Sequence, residues 1–189
     1  SFKKKLQKYL NSYQIKKVEK SYLLAKDAHE GQKRKSGENY INHPLHAASY
    51  LADYELDHET IMAAILHDVI EDTKINLNDL EKSFGKKVAE LVDGVSKLDR
   101  IDFNTKEEAD AANLRKMILA MSNDIRVLLI KLADRRHNLS TINVLDKNKA
   151  KRIARETLEI YAPLALRLGI HNLSTELENL SFKTFFPLR

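Results

Sequence analysis

Apolar residues recur at three- and four-residue spacing along almost the whole chain, as in Ile61, Ala64, Ile65 and Val69, or Ile153, Leu158, Tyr161, Leu164 and Leu168. That period gathers them on one face of an α-helix. The pattern predicts an all-α fold, a bundle of about nine or ten helices, the clearest over 15–29, 42–52, 58–72, 86–98, 107–121, 124–142, 148–168 and 171–182. Two connectors interrupt the periodicity. The run Gly31-Gln32-Lys33-Arg34-Lys35-Ser36-Gly37-Glu38-Asn39-Tyr40 sets two glycines, three cations and one aromatic between helices. Such a composition suits a loop presenting donors to an anion, with a flexible solvated turn as the alternative. The stretch 99–106 is polar, and nothing in it forces a role. No internal repeat and no low-complexity segment interrupts the chain.

Composition narrows this picture. A length of 189 residues suits one compact domain around a single sizeable core, expected to span 1–189. Five Gly and three Pro leave too little turn chemistry for the many hairpins of an all-β sandwich or barrel. No run approaches the roughly 20 apolar residues of a membrane span. The opening Ser1-Phe2-Lys3-Lys4-Lys5 leads straight into amphipathic sequence, so a soluble, cytoplasmic protein without membrane contact is expected. The start at Ser1 and the apolar pair Phe185-Phe186 near the end, which needs covering, suggest a piece of a longer chain. With 0 Cys, any metal must be held by imidazole, carboxylate or water. A net charge of +5 favours an acidic partner, although an ordinary solvated basic surface explains it as well. The basic stretch from Lys147 to Arg155 lacks the interleaved aromatics of a stacking surface, so no direct nucleic-acid binding is expected.

Three segments carry candidate chemistry. His67-Asp68 alone is a common doublet, but Asp68, Glu71 and Asp72 follow at i, i+3 and i+4, stacking three carboxylates on one predicted helical face. Their repulsion calls for a divalent cation, or else the segment is a solvated acidic helix end. In Asn42-His43-Pro44 the proline fits a first helical turn, and His43 is either a helix-start residue or a ligand. In Lys131-Leu132-Ala133-Asp134-Arg135-Arg136-His137-Asn138, Asp134 and Asn138 share a face. There one side chain is placed to bind a metal and the other a substrate hydroxyl or phosphate; a salt bridge from Asp134 to a nearby Arg is the structural alternative.

Taken together, His43, His67-Asp68 and Asp134 form an ordered series on three predicted helices. The series resembles the signature of the HD superfamily of metal-dependent phosphohydrolases. The likeness extends further. Gly31 to Glu38 with Tyr40 and His43-Pro44, His67-Asp68-Val69-Ile70-Glu71-Asp72, and Lys131 to Arg135 with His137-Asn138 all resemble the RelA/SpoT family. Later segments agree, among them Gly94-Val95-Ser96-Lys97-Leu98 and Ala154 to Ala165 with Arg167-Leu168-Gly169-Ile170.

This resemblance implies an HD-domain helical bundle that removes the 3′-pyrophosphate of ppGpp and pppGpp. It implies a manganese ion at His43, His67, Asp68 and Asp134. It places Arg34, Lys35 and Ser36 along the nucleotide, with Asn138 and Thr141 toward the ribose and base. Glu71 is expected to shuttle a proton and Asp72 to orient the attacking water. Members that have lost hydrolysis depart from the pattern at the His-Asp and Glu-Asp pairs, and both pairs are intact here. Three positions differ from the common pattern: Asn39 replaces Pro, Arg136 replaces Leu, and Ser140 replaces Arg. Ile153 to Pro187 resembles the long bifunctional members, so synthetase and regulatory domains in cis are expected partners. Two other readings compete. A different HD nucleotide phosphohydrolase would share the four ligands, and a catalytically idle alarmone-sensing module would keep the pocket without turnover.

Overall fold

The computed structural model describes residues 1–99 and 124–186. Their regular elements are helices, joined by one isolated bridge between Lys33 and Asn39. In chain order these are α1 (Phe2–Leu6), α2 (Ser12–Ala28), α3 (Asn42–Ala52), α4 (His58–Leu66), α5 (Val69–Asp72), α6 (Leu77–Phe84), α7 (Lys86–Asp99), α8 (Arg126–Ser140), α9 (Lys147–Glu156), α10 (Ala162–Arg167) and α11 (His171–Phe185). A 3₁₀ turn covers Ile142–Val144 and a π-helical turn covers Thr157–Tyr161. The helix expected over 107–121 and most of the 99–106 connector lie outside the described residues.

The chain divides into two compact units, Ser1–Gln32 with Tyr40–Lys131, and Lys33–Asn39 with Leu132–Arg189. In the first unit, α4 is the centre. Every residue from Thr60 to Leu66 is buried, and α2, α3 and α7 pack around it. A helix apolar on all sides is stable only when enclosed, and each such Ile, Met or Leu contributes about 1.5–3 kcal/mol on burial. Caps set where helices begin. Asn11 and Gln14 form a reciprocal capping box on α2, Asn76 and Asp79 form another on α6, and the Asp57 side chain accepts from Thr60 N at the start of α4. Gly94 brings α7 close to Val127: a Cβ there would stand 2.7 Å from Val127 Cγ2.

In the second unit α11 packs against α9, α10 and the π turn. Two predicted helices prove to be divided. The expected helix 58–72 ends at Leu66 and restarts as the single turn α5, with Asp68 as its N-cap. The expected helix 148–168 widens into the π turn just ahead of Pro163. Proline has no N–H to give the carbonyl four residues back, here Glu159, and the widened turn lies at that point.

Candidate active site

The break after α4 is what presents His67 and Asp68. The His67 ring folds back on its own helix end, where Nδ1 lies 2.8 Å from the Ala64 carbonyl. A carbonyl only accepts, so Nδ1 carries the hydrogen, and in a neutral ring Nε2 is then the lone pair that a metal would use. That atom meets Asp68, with Nε2 3.1 Å from Oδ1. His43, in the first turn of α3, brings its Nε2 to 3.6 Å from Asp68 Oδ2. The two imidazoles meet edge to face at 5.4 Å, and both are buried, at 3% and 2% exposed. Where both nitrogens present lone pairs, a cation between them and the carboxylate offsets the repulsion. Neutral imidazole with carboxylate is also a donor set that suits first-row divalent metals. These residues therefore fit such an ion.

The three acidic residues of this turn take different partners. Asp68 is half-buried, whereas Glu71 and Asp72 are exposed. Glu71 turns to the buried hydroxyl of Ser96 on α7, which donates to Oε1. Asp68 and Asp72 instead both approach the hydroxyl of Tyr40, at 2.9 and 2.7 Å. Burial, then the charges of Asp68 and Asp72 and the bonds to them, push the Tyr40 hydroxyl far above its ordinary range, so it remains a donor. The Tyr40 ring stacks on His29 at 4.6 Å. Gln32 gives an amide hydrogen to the Asp72 carbonyl at 3.0 Å.

The second unit holds the remaining predicted residues. Lys33–Asn39 closes on itself through Arg34 N–H to Glu38 O and Gly37 N–H to Arg34 O, each 2.9 Å. Gly37 takes φ +86°, a left-handed conformation that glycine adopts without strain. Lys35 and Ser36 stand exposed on this turn, and Arg34 is half-buried. The Arg34 guanidinium donates to Asn138 Oδ1 at 2.8 Å and approaches His137 Nδ1 at 3.3 Å. Asn138 in turn donates through Nδ2 to Asp134 Oδ1 at 2.7 Å. A guanidinium, an amide and a buried carboxylate thus form one directed chain. The Thr141 hydroxyl lies within reach of the His137 and Asn138 carbonyls at 3.2 and 3.4 Å. Of the three departures, Asn39 closes the bridge to Lys33. Arg136 forms a two-pronged pair with Glu176 of α11, and Ser140 donates to the His137 carbonyl.

Sequence reasoning gave no role to Tyr40, Ser96, Gln32 or His137, although all four stand in the segments that carried the resemblance. His29 lay just outside them. Apart from the contacts of His29 with Gln32 and Tyr40, their partners are tens of residues away in sequence, so no local spacing announced them.

A family model described as an HD domain matches residues 21–171. The bifunctional (p)ppGpp synthase/hydrolase SpoT of Escherichia coli (strain K12) is 60% identical over 184 residues, which is 97% of this chain and 26% of that protein. The guanosine-3′,5′-bis(diphosphate) 3′-pyrophosphohydrolase of Vibrio cholerae serotype O1 is 58% identical over 189 residues, 100% of this chain and 27% of that protein. The chain thus spans about a quarter of the length of these relatives. Among solved structures, a metazoan ortholog of SpoT, described as hydrolysing ppGpp and acting in starvation responses, matches with a TM-score of 0.64 and 25% identity. That match covers 94% of this chain and 96% of the other.

Proposed function

The chain belongs to the HD domain family, and from that membership we propose that it hydrolyses the 3′-pyrophosphate of ppGpp and pppGpp, giving GDP or GTP and pyrophosphate, with a divalent metal bound. The observation that carries this reading is the His43–His67–Asp68 cluster, in which imidazole and carboxylate donors face one another in a buried setting. The names of the relatives supply the substrate. The family match runs through both units, which supports treating 1–189 as one HD-type domain.

His43, His67, Asp68 and Asp134 are the proposed ligands and manganese the proposed ion; such an ion supplies Lewis-acid polarisation of a phosphate oxygen and lowers the pKa of water. Glu71, oriented by Ser96, takes a proton from the attacking water and returns it to O3′ as the bond from O3′ to phosphorus breaks. Asp72, oriented by Tyr40, directs the water. Arg34 and Lys35 offset the charge of the substrate, and Ser36, Asn138 and Thr141 line the nucleotide. Arg34 is already aligned by Asn138, so part of the ordering cost is met before substrate arrives.

Because the chain spans about a quarter of its relatives, we read it as one module of a protein that also carries synthetase and regulatory domains. Among the described residues no helix is long and apolar enough to cross a membrane, and we place the activity in the cytoplasm, where guanine nucleotides circulate. The test is release of pyrophosphate and GDP from ppGpp by the purified chain with manganese, with chelator, and in an Asp68→Ala variant. Turnover that needs both manganese and Asp68 is expected. A folded, manganese-loaded chain that leaves ppGpp intact sinks the reading, and ppGpp affinity then reports whether a sensing role replaces it.

A further inference from the structure

Tyr40 is the point at which the two carboxylates with different proposed tasks meet. Its hydroxyl oxygen lies 2.9 Å from Asp68 Oδ2 and 2.7 Å from Asp72 Oδ2. A phenol has one hydrogen to donate, so the two carboxylates share it. Without a donor between them, two like charges at this range push each other away.

The ring that carries the hydroxyl is itself held. It stacks on buried His29, the planes tilted by 22°. Gln32 ties this pair to the acidic turn: its amide nitrogen donates to the Asp72 carbonyl, which leaves Oε1 to accept from His29 Nδ1 at 2.8 Å. His29 Nε2 is buried with no hydrogen-bond partner among the described residues. Burying such a nitrogen carries a desolvation cost that an apolar ring would avoid. An imidazole at this position is therefore explained by its Nδ1–H, which fixes Gln32. The bracket closes on itself: His29, Gln32, the Asp72 backbone, the Asp72 carboxylate, the Tyr40 hydroxyl, and the Tyr40 ring back on His29.

We propose that Tyr40 is a positioning residue for the hydrolysis, its hydroxyl holding the ligand carboxylate of Asp68 and the water-orienting carboxylate of Asp72 in one fixed relation. This rests on the reading of Asp68 as a metal ligand and Asp72 as a catalytic group. Partners that hold a metal ligand from behind typically alter metal affinity or activity by about 10–100-fold when removed.

Tyr40→Phe keeps the stacked ring and removes one oxygen. Calorimetric titration of Mn2+ into the metal-free 189-residue chain is expected to show the dissociation constant rising about 10-fold in the variant. At saturating Mn2+, kcat for ppGpp is expected to fall about 10–100-fold, with KM within a factor of about two and the metal-free melting temperature within about 2 °C. Wild-type Mn2+ affinity together with wild-type kcat overturns the proposal, as does a loss confined to KM, and either leaves the hydrolase reading standing. If the unaltered chain does not turn over ppGpp, that reading falls instead, and the Mn2+ titration alone decides the role of Tyr40.

Discussion

Two regions of this molecule bury polar side chains and surround them differently. In the second unit Arg135, 8% exposed, is neutralised where it lies. Its guanidinium donates to Glu156 Oε1 at 2.9 Å and Oε2 at 3.3 Å, and its carbon lies 4.3 Å from the centre of the Tyr161 ring. Burial alone would disfavour its charge, but Tyr161, Glu156 and Asp134 outweigh burial and hold its pKa above the ordinary value. In the first unit the Nε2 atoms of His43 and His67 gather on one side chain, Asp68, at 3.6 and 3.1 Å, a donor set that suits a divalent cation. The difference separates architecture from chemistry. A cation locked into a two-oxygen pair serves the fold, whereas imidazole and carboxylate groups gathered at one point are the arrangement that functional sites share.

The largest effect is expected at Arg135. Arg135→Met strands Glu156 and is expected to destabilise the chain by about 3–5 kcal/mol. That lowers the melting temperature by roughly 6–20 °C, and adding Glu156→Leu should restore most of the loss in calorimetric scans. From the histidine side the sign reverses. Asp68→Ala removes the facing carboxylate, so its metal-free form should melt at or above the wild type. Mn2+ at about 100 times its dissociation constant is expected to stabilise the wild type by about 2.7 kcal/mol, and in Asp68→Ala most of that rise should vanish.

The smallest effect comes from a third charge cluster, around Arg126, where Asp124 and Asp57 are its partners at 2.8 and 3.0 Å. The Arg126 side chain holds Asp124 well below its ordinary 3.8, against burial and with help from Lys87. For Asp57, burial pushes upward but is outweighed by the Thr60 bonds and Arg126, so its pKa is also lowered. Folded values below unfolded ones mean that the stabilisation is complete above about pH 4–5 and is lost as pH falls through the folded values. The groups are partly exposed, so the loss should be about 1 kcal/mol or less. Urea midpoints between pH 5 and pH 3 should show it, and Arg126→Gln should flatten it.

What the sequence disclosed follows the same division. Helix α3 and its His43 were legible because Pro44 marks a first turn and the apolar residues keep their period. Asp134 and Asn138 were legible as a pair because i and i+4 share a face, and they do share a hydrogen bond. The break at His67 was not legible, since Val69 continues the apolar period of α4 across it. The period records which face is buried, and that face remains buried whether or not the backbone turns. The π turn was hidden in the same way, the one local clue being Pro163. Tyr40 and Ser96 were missed for another reason: what defines them is a hydroxyl meeting a carboxylate 25 to 32 residues away. Separations of that kind are set by packing and leave no mark in spacing.

The enclosed helix α4 has a consequence for when this chemistry comes into being. His67 and Asp68 directly follow seven consecutive buried residues, Thr60 to Leu66. A chain that has not yet closed α2, α3 and α7 around that segment has no fixed place for either side chain. Nascent or damaged copies therefore do not hold His67 and Asp68 in place, and the arrangement described here arises only together with the closed packing of α4.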